Sequence, residues 1–400
     1  MSEKYQIIVY IVQEWDTFHR RPMLEALARN ARGQAHLLLV APLLSPLGLL
    51  GWRGGPRVRR KPGLRRLSEN VALLTPVVWL LGTGRLPWLR RLPQRALASQ
   101  VRHALRQIGP PDAQRVEWVF RPEQAPLVGL APGALLVYEC YDEYTRSPVD
   151  GAPVPRLVEQ EDILLRKAGL VLTTSEHLYR SRSARHPRVV YTPNGVDYGL
   201  FAQARESTLA IAEELHRIPS PRIGFVGNVS ETSIDYPLLE DLARRHSEWS
   251  LVLVGPANEV SLKTRRRLGS LPNVHFTGWI ERARLPSFLK GFDVALIPFS
   301  TGPWNLARNP LKLWEYLAAG KPVVATRIPE IEKYADAVYL TSTPAEFEAA
   351  VRTAIERHTP GRAERGAELA REHSWERLTA RVLAQALAAA SDSVAPGVSP

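Results

Sequence analysis

Asn309–Thr326 reads NPLKLWEYLAAGKPVVAT and holds a helix start, two charges on one helical face, a helix stop and a strand. Asn309 is a good N-cap residue, and Pro310 suits the first helical position, where its missing N–H leaves nothing unpaired. Gly320 fits the left-handed position that ends a helix, and Val323–Ala325 then reads as a short buried strand. Lys312 sits in the first turn, where unpaired backbone N–H groups favour an anion. Glu315 follows three residues later, on nearly the same face. A phosphate-seeking helix start beside a hydroxyl-seeking carboxylate suits a nucleotide-sugar ligand. A helix with one internal salt bridge explains the same two residues without any ligand.

The same alternation of helix and buried strand runs through the chain. Apolar β-type runs occur at Gln6–Val12, Ala35–Val40, Val116–Phe120, Ala134–Tyr138, Leu170–Thr174 and Val189–Thr192. A second set lies at Ile223–Val226, Leu251–Val254, Val274–Thr277, Val294–Pro298, Pro322–Ala325 and Val338–Leu340. They are rich in Val, Ile and Leu without strict alternation, as in parallel sheets covered on both faces. Two sets of six imply an α/β protein of two doubly wound, Rossmann-like domains, which 400 residues accommodate comfortably. The turn-rich stretch Thr192–Asp197 marks the boundary, giving domains 1–197 and 198–390 and a disordered tail 391–400. Ser374, ahead of Leu378–Leu387, reads as the N-cap of a last helix.

The single Cys140 excludes an internal disulfide, and no CxxC or Cys/His cluster suggests a metal. The N-terminus is too acidic for a signal peptide, and no run reaches the ~18 apolar residues of a membrane span. A cytoplasmic protein is expected, or one peripheral on the inner face of the plasma membrane. The formal charge of +12 is lopsided: residues 1–200 hold 28 Lys/Arg against 17 Asp/Glu, residues 201–400 hold 24 against 23. Between Ser45 and Pro111, thirteen basic residues face the single acid Glu69, in a Gly/Pro-punctuated loop (Gly51–Leu67) and in stretches mixing Trp79, Trp88 and Leu with Arg. This pattern points to an anionic partner, a membrane surface foremost. No nucleic-acid-binding module accompanies the charge. Trp and Leu packed inward beneath solvated arginines would give the same sequence.

Several stretches together carry a resemblance. They are Trp15–Arg29, Val137–Arg146, Gly169–Glu176, Thr192–Asp197 (TPNGVD), Gly224–Asn228 (GFVGN), Phe276–Trp279, Asp293–Phe299 and Asn309–Thr326. In this order the chain resembles a GT-B glycosyltransferase of the broad family-4 group, nearest to bacterial enzymes of cell-surface polysaccharide synthesis of the teichuronic-acid type. The resemblance covers nearly the whole chain. It implies a donor-binding C-terminal domain and an acceptor-binding N-terminal one.

The resemblance also assigns roles. Glu315 matches the second acid of a Glu-x7-Glu pattern, which hydrogen-bonds the donor ribose. Asn309 to Lys312 match the loop and helix start holding the donor diphosphate. Gly227 and Asn228 match the loop where backbone approaches the phosphates, or form an ordinary tight turn. Trp279 stands where the family positions the base, and either stacks on it or belongs to the core. Trp15, Asp16, His19, Arg20 and Arg21 follow the first strand and are expected at the acceptor, unless they only begin a surface helix.

Two departures stand out. Ala307 replaces the first acid of Glu-x7-Glu, and the family's frequent N-domain His has no evident counterpart. Asp142 and Glu143 occupy the equivalent strand end as candidate catalytic carboxylates; Asp142 also suits a loop or cap. No Asp-x-Asp motif is present, so Lys312, Arg308 and helix dipoles are expected to neutralise the diphosphate with no metal or cofactor. The expected activity is transfer of a sugar from a nucleoside-diphosphate donor to a glycan or lipid-linked acceptor, with retention of configuration. A non-catalytic subunit that kept the fold, and a sugar-nucleotide epimerase, are the alternatives.

Overall fold

The computed structural model describes residues 4–44, 61–77, 91–147, 149–229, 233–257, 260–302, 305 and 307–392, with backbone alone at 91 and 92. All twelve expected strands form, with ends within two residues of the sequence reading. In chain order the strands are β1 (Tyr5–Tyr10), β2 (Ala35–Val40), β3 (Gly63–Ser68), β4 (Val71–Thr75), β5 (Gln114–Val119), β6 (Leu135–Cys140), β7 (Leu170–Thr173) and β8 (Val189–Tyr191). They continue as β9 (Arg222–Val226), β10 (Ser250–Val254), β11 (Val274–Gly278), β12 (Val294–Ile297), β13 (Val323–Thr326) and β14 (Tyr339–Thr341).

The first eight form one sheet, ordered β3-β4-β2-β1-β5-β6-β7-β8, parallel except for the β3–β4 pair. The last six form a fully parallel sheet ordered β11-β10-β9-β12-β13-β14. Each has its own core: Ile8, Leu38, Val101 and Tyr138 in the first, Phe225, Phe288, Trp314 and Phe347 in the second. Burying such side chains removes apolar surface worth about 25 cal/mol per Å².

The antiparallel pair β3–β4 was not foreseen; the sequence reading put Gly51–Leu67 in a basic loop. Strand β3 lies at the sheet edge with Arg65 and Arg66 exposed, so it lacks the apolar signal of a buried strand. The turn between the strands is pinned by Asn70, buried, whose Nδ2 donates to Ala28 O at 2.8 Å. The rest of the basic region, including Trp79, Trp88 and most of Gly51–Leu67, lies outside the described residues, as do residues 393–400 of the expected tail.

The chain divides into two compact units. One comprises Met1–Arg146, Ala152–Thr192 and Leu378–Pro400, the other Ser147–Gly151 and Pro193–Arg377. The division falls at Pro193 rather than after Asp197, because Val196 bridges to Ser374 within the second unit. The last helix, Trp375–Asp392, passes to the first unit from Leu378 onward, where the sequence reading kept it in the second. Its anchors there are Thr379 Oγ1, accepting from Asn30 Nδ2 at 2.9 Å, and Asp392, paired with Arg188 at 3.1 Å.

Candidate functional site

In the second unit the helix Leu311–Ala318 is buried along nearly its whole length, from Leu313 to Ala318. Leu, Trp and Ala supply helix propensity and core volume, and Tyr316 and Glu315 are its polar insertions. Gly320 (φ +68°) ends it, with its N–H on Leu317 O and the Lys321 N–H on Tyr316 O, each at 3.0 Å. That pair is a Schellman stop, as the sequence implied. The start differs. Pro310 is the capping residue and makes no side-chain cap. Asn309 instead donates from Nδ2 to Glu330 Oε2 at 3.0 Å, while its carbonyl accepts from Asn194 Nδ2 at 2.7 Å. Its Oδ1 is buried with no partner among the described residues.

The Tyr316 hydroxyl accepts from Val226 N at 2.8 Å, which fixes the helix to the end of β9, next to Gly227. Three glycine turns then follow three neighbouring strands: Gly227 after β9, Gly255 after β10 and Gly278 closing β11. Gly255 must lack a side chain, since a Cβ there would lie 1.8 Å from Gly227 O. Over Gly227 passes Lys312, its Cε 3.0 Å from where a Gly227 Cβ would stand.

Glu315 is 5% exposed, so its carboxylate needs partners. Lys312 Nζ lies 2.8 Å from Oε2 and Arg282 Nη1 3.5 Å from Oε1. The salt bridge read as the ligand-free explanation is therefore formed, and Arg282 joins it. Arg308 donates to Ser233 Oγ at 2.8 Å and lies over the Phe299 ring. Trp279 is 69% exposed, so it is not a core residue. Asn228 is exposed beside Gly227, and Ala307 is fully buried. The second unit thus gathers Gly227, Lys312 and Glu315 at one place and adds Arg282. No motif marks Arg282 among the many arginines of the chain; only the fold brings it to Glu315.

In the first unit the candidates separate. Arg20 turns inward to an ion pair with Glu139, its guanidinium 4.6 Å from the Tyr141 ring centroid. Burial brings its pKa down to about 10. It is a core residue, where the sequence places it at the acceptor. Trp15 is buried beneath Arg21, which pairs with Glu25 at 2.7 Å and with Asp16 at 3.4 Å. Both line a cavity of about 340 Å³ together with Arg29, Arg32 and Asn70. His19 is exposed and packs edge-on against Tyr141, ring centroids 5.3 Å apart, which brings it beside the strand end carrying Asp142.

Glu143 is placed against its expected catalytic role. Both oxygens are engaged by Arg182, at 2.6 and 2.9 Å, and Thr145 Oγ1 donates to Oε1 at 2.5 Å. Burial would raise its pKa, but the Arg182 hydrogen bonds and charge outweigh that and bring it down to about 2. Such a carboxylate is a poor proton acceptor near neutral pH. Asp142 is half-buried, and its Oδ1 accepts from the Glu143 backbone N–H at 3.1 Å. A second cavity, about 300 Å³, opens at the C-terminal ends of β1 and β2, lined by Tyr10, Val12, Pro42, Leu97, Arg121 and Leu127 among others. Strand order reverses beside β1, where open α/β sheets place ligands.

Residues 220–357 match the family described as glycosyl transferases group 1. A teichuronic acid biosynthesis glycosyltransferase, TuaH of Bacillus subtilis (strain 168), is 27% identical over 212 residues, 50% of this chain and 52% of that protein. The aligned part thus spans about half of that relative's length. Among solved structures, sucrose-phosphate synthase from Thermosynechococcus elongatus superposes with a TM-score of 0.70 at 16% identity, covering 96% of this chain and 100% of that one. HepE of Anabaena, solved with UDP and glucose, gives 0.65 at 19% identity, covering 96% and 99%. At these identities the structural matches establish a shared fold.

Proposed function

From a chain with the GT-B fold whose residues 220–357 belong to the glycosyl transferases group 1 family, we propose a glycosyltransferase that draws its donor into the second unit. The observation that carries this is the meeting of Gly227, Lys312 and Glu315 within the family-matched residues. In this reading Glu315 accepts from the ribose hydroxyls, and Lys312, with Arg308 and the helix start, faces the diphosphate. Exposed Trp279 offers a ring for the base. HepE was solved with UDP, which makes a UDP-sugar the first donor to try.

The acceptor belongs to the first unit. Asp142, with His19 beside it, is the candidate to orient the acceptor hydroxyl or take its proton, and Glu143 holds the loop behind it. The likeness to a teichuronic acid biosynthesis enzyme favours a glycan or lipid-linked acceptor of the cell envelope, at the inner face of the plasma membrane. Retention of configuration and independence of metal complete the proposal. Lys312 and Arg308 supply the charge that a bridging metal would otherwise provide.

Thermal shift with UDP-, GDP- and dTDP-sugars, followed by product analysis with and without acceptor, tests this. Stabilisation by one donor and acceptor-dependent release of its nucleotide are expected, unchanged by EDTA. Buried, apolar Ala307 favours one rival, a binding subunit that holds a donor without turning it over. Donor binding without transfer to any envelope acceptor would establish that rival. Conversion of the donor alone into an isomeric sugar nucleotide would establish an epimerase.

A further inference from the structure

The geometry points to Arg282 as a positioning residue of the donor pocket, one that takes over the Glu315 carboxylate when a bound diphosphate draws Lys312 away. This rests on the donor reading above. Glu315 divides its two oxygens between two cations, Lys312 on Oε2 at 2.8 Å and Arg282 on Oε1 at 3.5 Å. The two cations differ in what holds them. Lys312 is a point charge on a flexible stem, and that stem lies against the Gly227 turn, where the reading places the phosphates. Arg282 belongs to the short helical turn Arg282–Arg284 after β11, and its guanidinium lies 5.1 Å from the Phe201 ring centroid. Phe201 is fully buried, so this anchor stays when Lys312 moves.

Lys312 cannot serve both anions equally. A diphosphate carries more charge than a carboxylate and would compete for the single ammonium. A carboxylate with a side chain only 6% exposed cannot turn to bulk water instead, so it then depends on whichever other cation can close on it. The 3.5 Å contact to Arg282 is long for a charge-assisted hydrogen bond, which is shorter than about 2.9 Å, so this pair has room to tighten. Arg282 thus keeps Glu315 paired and aimed while Lys312 changes partner. A nucleoside, having no phosphate, leaves the Lys312–Glu315 pair intact and makes no such demand.

That difference supplies the test. Affinities for UDP, by calorimetry, and for uridine at millimolar concentration, by NMR, are compared in wild type, Arg282→Gln and Arg282→Lys. Arg282→Gln is expected to weaken UDP about tenfold or more, equivalent to ~1.4 kcal/mol, and uridine less than about twofold. Arg282→Lys, which keeps the charge, is expected to recover most of the UDP affinity. Equal losses for UDP and uridine, or no loss for either, would overturn the role, since a merely structural arginine affects both alike. If Arg282→Gln unfolds, Arg282→Met, which keeps the stem beside Phe201 without the charge, takes its place and is read by the same outcomes. A wild type that binds none of UDP, GDP and dTDP would overturn the donor reading, and this inference with it. Wild-type binding with equal losses would remove Arg282 alone.

Discussion

Glu315 and Glu143 are both buried carboxylates paired with cations, yet their partners commit them to different work. The partners of Glu315 reach solvent, with side chains 23% exposed at Lys312 and 38% at Arg282, so a ligand has access to the pair and can draw Lys312 away. Glu143 faces Arg182, 3% exposed, which is itself tied to Glu161 at 2.8 Å. Lys312→Ala and Glu315→Ala are therefore expected to lose about a hundredfold or more in kcat/KM while the thermal midpoint moves little. Activity assays paired with calorimetric melts check this, and near-normal turnover in both variants would remove the donor site from this helix. Glu143→Gln should do the reverse and destabilise by about 3 kcal/mol, because it removes one of the two carboxylates that hold a buried guanidinium. The pH dependence has a definite sign. A carboxyl whose pKa falls to about 2 on folding contributes stability that is complete above its unfolded pKa of about 4.5 and is lost as pH drops toward 2. Urea titrations of wild type at pH 7 and pH 3 should show that loss, and Glu143→Gln should show less of it.

The strands were legible because a parallel sheet buries both faces and writes itself as Val/Ile/Leu runs, as at Leu251–Val254. The edge strand β3 was not, since Leu64-Arg65-Arg66 carries its charge outward and its pairing is set by Val71–Thr75. Local pattern likewise gave the stop at Gly320 correctly but misassigned Asn309, whose side chain is claimed by Glu330, a partner remote in sequence. Lys312 and Glu315 could be found because helical spacing brings them together. Arg282 and the Arg20–Glu139 pair could not, because tertiary contact alone creates them. The turn after β10 tests whether the glycine cradle is needed as built. A Gly255→Ala methyl would meet the backbone carbonyl of Gly227 at 1.8 Å, and backbone cannot rotate aside as a side chain can. The β9 turn must shift, carrying with it the surface that Lys312 crosses. Donor affinity is expected to fall about tenfold or more, measured by calorimetry, with a lower thermal midpoint. Unchanged affinity would show that the phosphates bind elsewhere.

At the scale of the whole molecule the charge separates the two halves of the sequence. Of the net +12, residues 1–200 carry +11, and among the described residues no helix is long and apolar enough to cross a membrane. An enzyme acting on lipid-linked or envelope acceptors gains local substrate concentration by residing at the anionic surface that holds them. On the proposed function, a basic first half would supply that attraction, at ~1 kcal/mol for each Lys or Arg close to the lipid. Such attraction is screened over a Debye length, ~30 Å at 0.01 M salt and ~10 Å at 0.1 M. The protein is therefore expected to sediment with vesicles of phosphatidylglycerol at low salt, much less at physiological salt, and not with phosphatidylcholine vesicles. Charge reversal of Arg53, Arg57, Arg59, Arg60 and Lys61 should weaken that binding while leaving donor affinity in the second unit unchanged. The pairing of these measurements matters, because loss of both would indicate unfolding rather than release from a surface. Absence of sedimentation at low salt would overturn membrane docking and leave solvated arginines over inward-packed Trp and Leu as the reading of the basic region.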